Sequence, residues 1–424
     1  MVYMAGDNNL SDRCVDDLRE MKMAGVSNDV TVRVQVDRSS AFNNRPGRYQ
    51  ITGCARYGSN DLGASVEHDR VPAFNQPFNS GRKEPLIGFV KWAIEDRPDD
   101  KYMLVLWGHA NPQDATPIPV SHPRTQNRFS RRKRRRSCSD PAARDSNAFF
   151  QICPDDFTHD GLTDAELRSA LKTITNKTGR PIDILGLDAC LMSMVELNYE
   201  LRQYASYIIA SESLIPATSW PYHWILAALD EDPSMSAADL CRIITTKYVA
   251  YYPDYDDVSV QLSACDSSRC EDLARSVKGL TDTLTPRLLG EDGDFTLRNA
   301  ILSAHFRAQP YFQEQYYDLY DFCFMLQESC DKHFPEVSAA AKRVMDVIKD
   351  SKQPFVLDSK FSPLELSDNN EAADLQFSYG TSIYFPWASV SERYGNLQFA
   401  RDAGWQDFLS AYCDFSAKFA REDR

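Results

Sequence analysis

The sequence predicts an α/β fold built on a mostly parallel sheet with helices on both faces. Short β-branched apolar runs alternate with stretches of helical period. Most of these runs are apolar throughout, the pattern of strands buried on both sides. Two of them end in reactive side chains, in LWGHA at 106–110 and GLDAC at 186–190. Ligands of open parallel sheets bind at that carboxyl edge.

The strands, in order, are VYMA at 2–5, VTVRVQV at 30–36, YMLVLW at 102–107, IDILGL at 182–187, YIIA at 207–210 and VSVQL at 258–262. VTVRVQV alternates, which places it nearer a sheet edge. Helices are expected over 12–23, 85–95, 163–172 and 191–204. The third opens with TDAE, a capping box in which Glu166 reaches back to Thr163. After about residue 285 helical patterns dominate, at 318–326 and 337–348, before a last strand-like run, TSIYFP at 381–386.

Composition is that of an ordinary globular protein, 43% apolar and 25% charged over 424 residues. That length allows two or three domains, or one large α/β domain with an appendage. No run of about 18 uncharged apolar residues is present, so a membrane span is not expected. The net charge of −14 argues against nucleic acid as the main partner. Residues 111–150 depart from it, with eight Arg and one Lys against three Asp. This stretch has no apolar period and reads as a functional or disordered segment. The eleven cysteines form no C-x-x-C pair, so neither a disulfide scaffold nor a zinc module is indicated. MVYMAGDNNL lacks the basic and apolar regions of a secretory leader. A chain that opens inside a strand reads as a mature or truncated form, exported if a leader was lost upstream and cytoplasmic otherwise.

His109 follows one strand and Cys190 another. If the two strands are neighbours, both residues share one edge of the sheet. A thiol is mostly protonated at neutral pH, and the thiolate is the nucleophile. An imidazole beside it can take the proton. A helix beginning just after Cys190 would add the positive end of its dipole, and backbone N–H groups of Ala110 and Cys190 could hold an oxyanion. A lone cysteine at a strand end is by itself more often a packing residue. The other histidines lie in loops or helical stretches, and none follows a strand.

YMAGDNNL at 3–10, LWGHA at 106–110, GLDACLMSMVEL at 186–197, SESLIPATSWPY at 211–222, DLYDF at 318–322 and GTSIYFP at 380–386 together resemble the clostripain family of cysteine peptidases. The segments span nearly the whole chain in the family's order. The resemblance implies a caspase-like three-layer α/β/α sandwich, with a catalytic domain over 1–285 and a smaller, mainly helical region over 286–424. It implies an endopeptidase cutting after Arg or Lys through a His–Cys dyad, His109 and Cys190. Asp188 would face the basic P1 side chain, since a carboxylate can bind Arg bidentately. It implies self-cleavage of a zymogen between histidine and cysteine, where Arg131, Arg132, Lys133, Arg134, Arg135 and Arg136 offer candidate bonds. The product would be a monomer or a self-cleaved two-chain form. No cofactor is needed for the chemistry. Calcium is a habit of the family, and Asp7, Asp155, Asp156 and Asp160 carry suitable oxygens, although none matches an EF-hand loop and the residues themselves favour ordinary acidic turns and caps.

The chain departs from the family at Ala110, Ala217 and Ser219, where glycines are usual, which puts the oxyanion site and pocket shape in question. One alternative is therefore an inactive relative acting as a binding protein. The basic run reads otherwise as a solvated linker or a nuclear-localisation-like patch.

Overall fold

A computed structural model describes residues 1–38, 46–52, 66–72, 78–97, 100–112, 148–255, 258–290, 294–311, 315–362 and 375–422. The basic run at 131–136 lies outside the described residues. In chain order the strands are β1 (Val2–Gly6), β2 (Val32–Arg38), β3 (Gly47–Ile51), β4 (Met103–Trp107), β5 (Ala110–Pro112), β6 (Phe150–Asp155) and β7 (Asp160–Thr163). They continue as β8 (Ile182–Asp188), β9 (Ala205–Ala210), β10 (Gln261–Asp266), β11 (Pro310–Tyr311), β12 (Tyr316–Asp318), β13 (Val356–Phe361) and β14 (Ser382–Tyr384).

Eight of them form one sheet, in the order β13-β10-β9-β8-β4-β1-β2-β3. The five central strands from β9 to β2 pair in parallel. The outer strands pair antiparallel with their neighbours, β3 with β2, β10 with β9 and β13 with β10. VTVRVQV lies next to the edge strand, close to where its alternation put it.

Alternate residues of each central strand enter two different cores. Tyr3, Ala5, Leu104, Leu106, Leu185 and Leu187 face one side. Val2, Met4, Val105, Trp107 and Ile184 face the other. Both faces are thus apolar, which is why these runs carry no polar alternation. The helices Lys83–Ala93, Asp164–Thr178 and Cys270–Leu288 cover the first face. The helices Arg13–Ala24, Tyr222–Glu231 and Ala237–Tyr255 cover the second. Full burial of one Leu or Val on either face contributes about 1.5–3 kcal/mol. The capping box is present: Thr163 accepts from the Glu166 amide at 3.2 Å and the Glu166 carboxylate accepts from the Thr163 amide at 3.2 Å.

Beyond residue 285 the chain is mainly helical, and TSIYFP supplies β14 to a small sheet, β11-β12-β14. That region also returns β13 to the edge of the main sheet, opposite β10. The strand expected at VSVQL, 258–262, starts three residues later at Gln261, opposite Phe361 of β13, and its ladder to β9 starts from Ser263 opposite Ala210.

Candidate active site

β4 and β8 are neighbours, with Trp107 opposite Asp188. The Gly108 amide donates to the Asp188 carbonyl at 3.2 Å, closing the ladder. His109 and Cys190 each lie two residues beyond that pair. They leave adjacent parallel strands at the same, carboxyl end of the sheet. Gly108 makes the turn at φ 144°, where a Cβ would come within 3.0 Å of the Ala5 carbonyl; only glycine fits both demands. The His109 carbonyl accepts from the Cys153 amide at 3.0 Å, which ties the histidine to β6.

His109 is half-buried, and its Nε2 lies 2.6 Å from Asn9 Oδ1. Burial pushes its pKa below the usual range; the Asp156 charge opposes this more weakly. Cys190 is half-buried, whereas every other described cysteine is buried. Its Sγ accepts from the Ile215 amide at 3.2 Å. Burial pushes the thiol up to about 11, the Ile215 amide pulls it back in part, and the Asp188 charge raises it. Both groups therefore rest neutral at pH 7.

The expected helix dipole at the sulfur is absent. The helix after Cys190 starts only at Val195 and ends at Leu201. The intervening residues are held by other partners. Leu191 sits at φ 63°, a strained value for a side chain of its size. Its amide donates to Ser213, the Ser193 amide donates to Ser211, and Met194 bridges to Ser382. The segment is consumed in these pairings before a helix can begin.

Asp188 is 3% exposed at the end of β8. Its Oδ2 accepts from the Tyr222 hydroxyl at 2.8 Å, the Trp220 amide at 3.4 Å and the Ser219 hydroxyl. Its Oδ1 is buried without a partner. Burial raises the carboxyl to about 6, against the pull of these donors. Ser219 adopts φ 65°, a glycine-like angle, and its hydroxyl also accepts from Trp107 Nε1 at 2.9 Å. The same indole donates to Asp17 at 2.6 Å. The loop 211–221 is thereby fixed to both Cys190 and Asp188, while Ala217 lies exposed on it. Ser219→Ala keeps the strained angle and removes the shared hydroxyl. It is expected to destabilise the protein by about 1–3 kcal/mol, read as a lower melting temperature.

Two of the four acidic candidates for calcium, Asp7 and Asp155, both act on the Asp37 carboxyl, which is raised to about 8 mainly by burial. Asp155 caps a turn through the Thr158 amide at 2.8 Å, and Asp160 accepts from Asn79 at 2.9 Å and Arg82 at 3.3 Å. Asp7 contributes its carbonyl to the Asp156 amide at 2.9 Å. Among the described residues no group of three acidic, His or Cys side chains is arranged to hold a metal ion. The described residues therefore offer calcium no donor set, and no chemistry is routed through it. Among the described residues no helix is long and apolar enough to cross a membrane.

The profile of the clostripain family (peptidase C11) matches residues 2–119 and 142–412. The chain belongs to the clostripain family. It is a cysteine-type hydrolase whose substrates are proteins or peptides. The matched segments leave out 120–141, which contains the basic run. No curated protein matches the chain. Among solved structures it is similar to an inactive zymogen C11 protease from Parabacteroides distasonis, at 21% identity over 95% of this chain and 96% of that one, with a TM-score of 0.60. It is also similar to a secreted C11 cysteine protease from Bacteroides thetaiotaomicron in complex with an irreversible peptide inhibitor. That likeness has 19% identity, covers 96% of this chain and 98% of the other, and has a TM-score of 0.61. These likenesses support the caspase-like fold of clostripain-family members.

Sequence reasoning missed Asn9, Ile215 and Tyr222. Asn9 and the SESLIPATSWPY loop stood inside quoted motifs, but no spacing rule links them to His109, Cys190 or Asp188.

Proposed function

We propose that this clostripain-family chain is an endopeptidase cutting after Arg or Lys, with Cys190 as nucleophile and His109 as acid and base. The observation that carries the reading is the β4–β8 register, which delivers both side chains to one edge of the sheet. Because thiol and imidazole rest neutral, the proton moves when substrate arrives. Cys190 Sγ attacks the scissile carbonyl carbon as His109 takes the thiol proton. The carbonyl oxygen becomes an oxyanion facing the Ala110 and Cys190 amides. The C–N bond then breaks, and His109 gives its proton to the leaving amine. Water attacks the thioester, His109 takes a proton from it, the C–S bond breaks, and the proton returns to sulfur.

Asp188 selects P1. Its Oδ1 is a buried oxygen without a partner, a site that a guanidinium or ammonium would satisfy. The bonds after Arg131, Arg132, Lys133, Arg134, Arg135 and Arg136 are the proposed maturation sites. Cleavage there would leave His109 and Cys190 on separate chains joined through β4 and β8.

An arginyl peptide bearing an electrophilic ketone, together with fluorogenic Arg, Lys, Leu and Asp amides, tests the reading. A single adduct on Cys190 and turnover of the Arg and Lys amides alone are expected. Labelling elsewhere, or no turnover of any amide, would overturn it. Purified wild type should run as two fragments meeting within 111–150, with the Cys190→Ala variant intact. Two fragments from both would assign the cut to another protease.

A further inference from the structure

The sheet order changes direction between β1 and β4: from β1 the chain steps outward to β2, and from β4 it steps the other way to β8 and β9. The crevice at such a switch point collects the loops that follow the two strands. Here those loops carry Asn9 and His109. The loop after β1 is pinned at several points. Asn8 Nδ2 donates to the Ala5 carbonyl at 3.0 Å and the Pro154 carbonyl at 3.2 Å, and Asn8 Oδ1 accepts from the Leu10 amide at 2.9 Å. The neighbouring Asp7 carbonyl accepts from Asp156 at 2.9 Å. Asn9 is therefore carried on a rigid support while its own side chain is exposed.

We infer that Asn9 is a positioning residue for the peptidase reaction, one that sets the tautomer of His109; this rests on the dyad proposed above. The amide oxygen of Asn9 only accepts, so its 2.6 Å approach to Nε2 assigns the hydrogen to Nε2. In the neutral ring the lone pair is then on Nδ1, which is the atom left to take the Cys190 proton. When the ring becomes imidazolium, the Nε2–H···O bond becomes charge-assisted and strengthens. The contact thus favours the state formed during reaction over the resting one.

Asn9→Ala and Asn9→Asp test this with kcat, KM, the pH profile of kcat/KM and the melting temperature. Asn9→Ala should lower kcat about tenfold with KM and melting temperature unchanged. Asn9→Asp should move the acid limb of the profile to higher pH, because a carboxylate at Nε2 favours the imidazolium. Wild-type kcat and acid limb in both variants would overturn the assignment. A rise in kcat for Asn9→Ala would also overturn it, showing that the amide holds the ring away from the thiol. Failure of the dyad itself reads differently: wild type would then show neither turnover nor a Cys190 adduct.

Discussion

Cys190→Ala is expected to lower kcat on an Arg amide by about 10⁴-fold or more, to the rate left by binding and oxyanion contacts alone. Fold should survive. The side chain is half-buried, and its sulfur bonds the Ile215 amide and carbonyl on the surface loop. The variant therefore separates chemistry from stability: its melting temperature should stay near that of wild type while turnover disappears. The unliganded enzyme adds a second readout. With the thiol pushed up to about 11 and, among the described residues, no cation acting on it and no helix beginning before Val195, alkylation by iodoacetamide should be slow at pH 7. Its rate should climb through the alkaline range. A rate already at plateau near pH 6 would mean a preformed thiolate–imidazolium pair, and the neutral resting state would be wrong. A fully retained kcat in Cys190→Ala would remove Cys190 from the mechanism altogether.

How much of this was legible in the sequence depends on the range of the forces involved. YMLVLW and IDILGL were readable because burial on both faces leaves a local mark, an uninterrupted apolar run. The capping box at Thr163 was readable because all its partners lie within three residues. The reactive side chains at the two strand ends followed from the same runs. The helix after Cys190 misled. Its apolar period is real, but Leu191, Ser193 and Met194 are claimed by Ser213, Ser211 and Ser382, and no local pattern records those long-range bonds. The Asn9–His109 contact spans 100 residues in sequence, and the Ser219–Asp188–Tyr222 cluster spans about thirty. Each joins loops whose meeting is decided by strand order, which composition and period do not specify. Two of the acidic residues read as possible calcium ligands have local or long-range donors of their own: Asp155 accepts from the Thr158 amide and Asp160 from Asn79 and Arg82.

Asp188→Asn is expected to lower kcat/KM for an arginyl substrate by about 10²-fold, the order of a lost charge-assisted hydrogen bond to a buried carboxylate. The loss should appear mainly in KM, and iodoacetamide alkylation of Cys190, which needs no P1 contact, should stay within a few-fold of wild type. The pH dependence follows from the same group. Burial raises the Asp188 carboxyl to about 6, so its charged form is present above pH 6 and is lost as pH falls through that value. A neutral carboxyl cannot attract a guanidinium, so KM for the Arg amide should rise on going from pH 7 to pH 5. The Asn variant, without a titrating group there, should lack that limb. The competing role is purely structural, since Oδ2 already holds Ser219, Trp220 and Tyr222. In that case Asp188→Asn would lower the melting temperature and leave KM and its pH profile unchanged for both Arg and Lys substrates. Only the structural role moves the melting temperature alone; the selective role moves KM together with its pH limb, because the oxygen that meets P1 is the one the loop does not use.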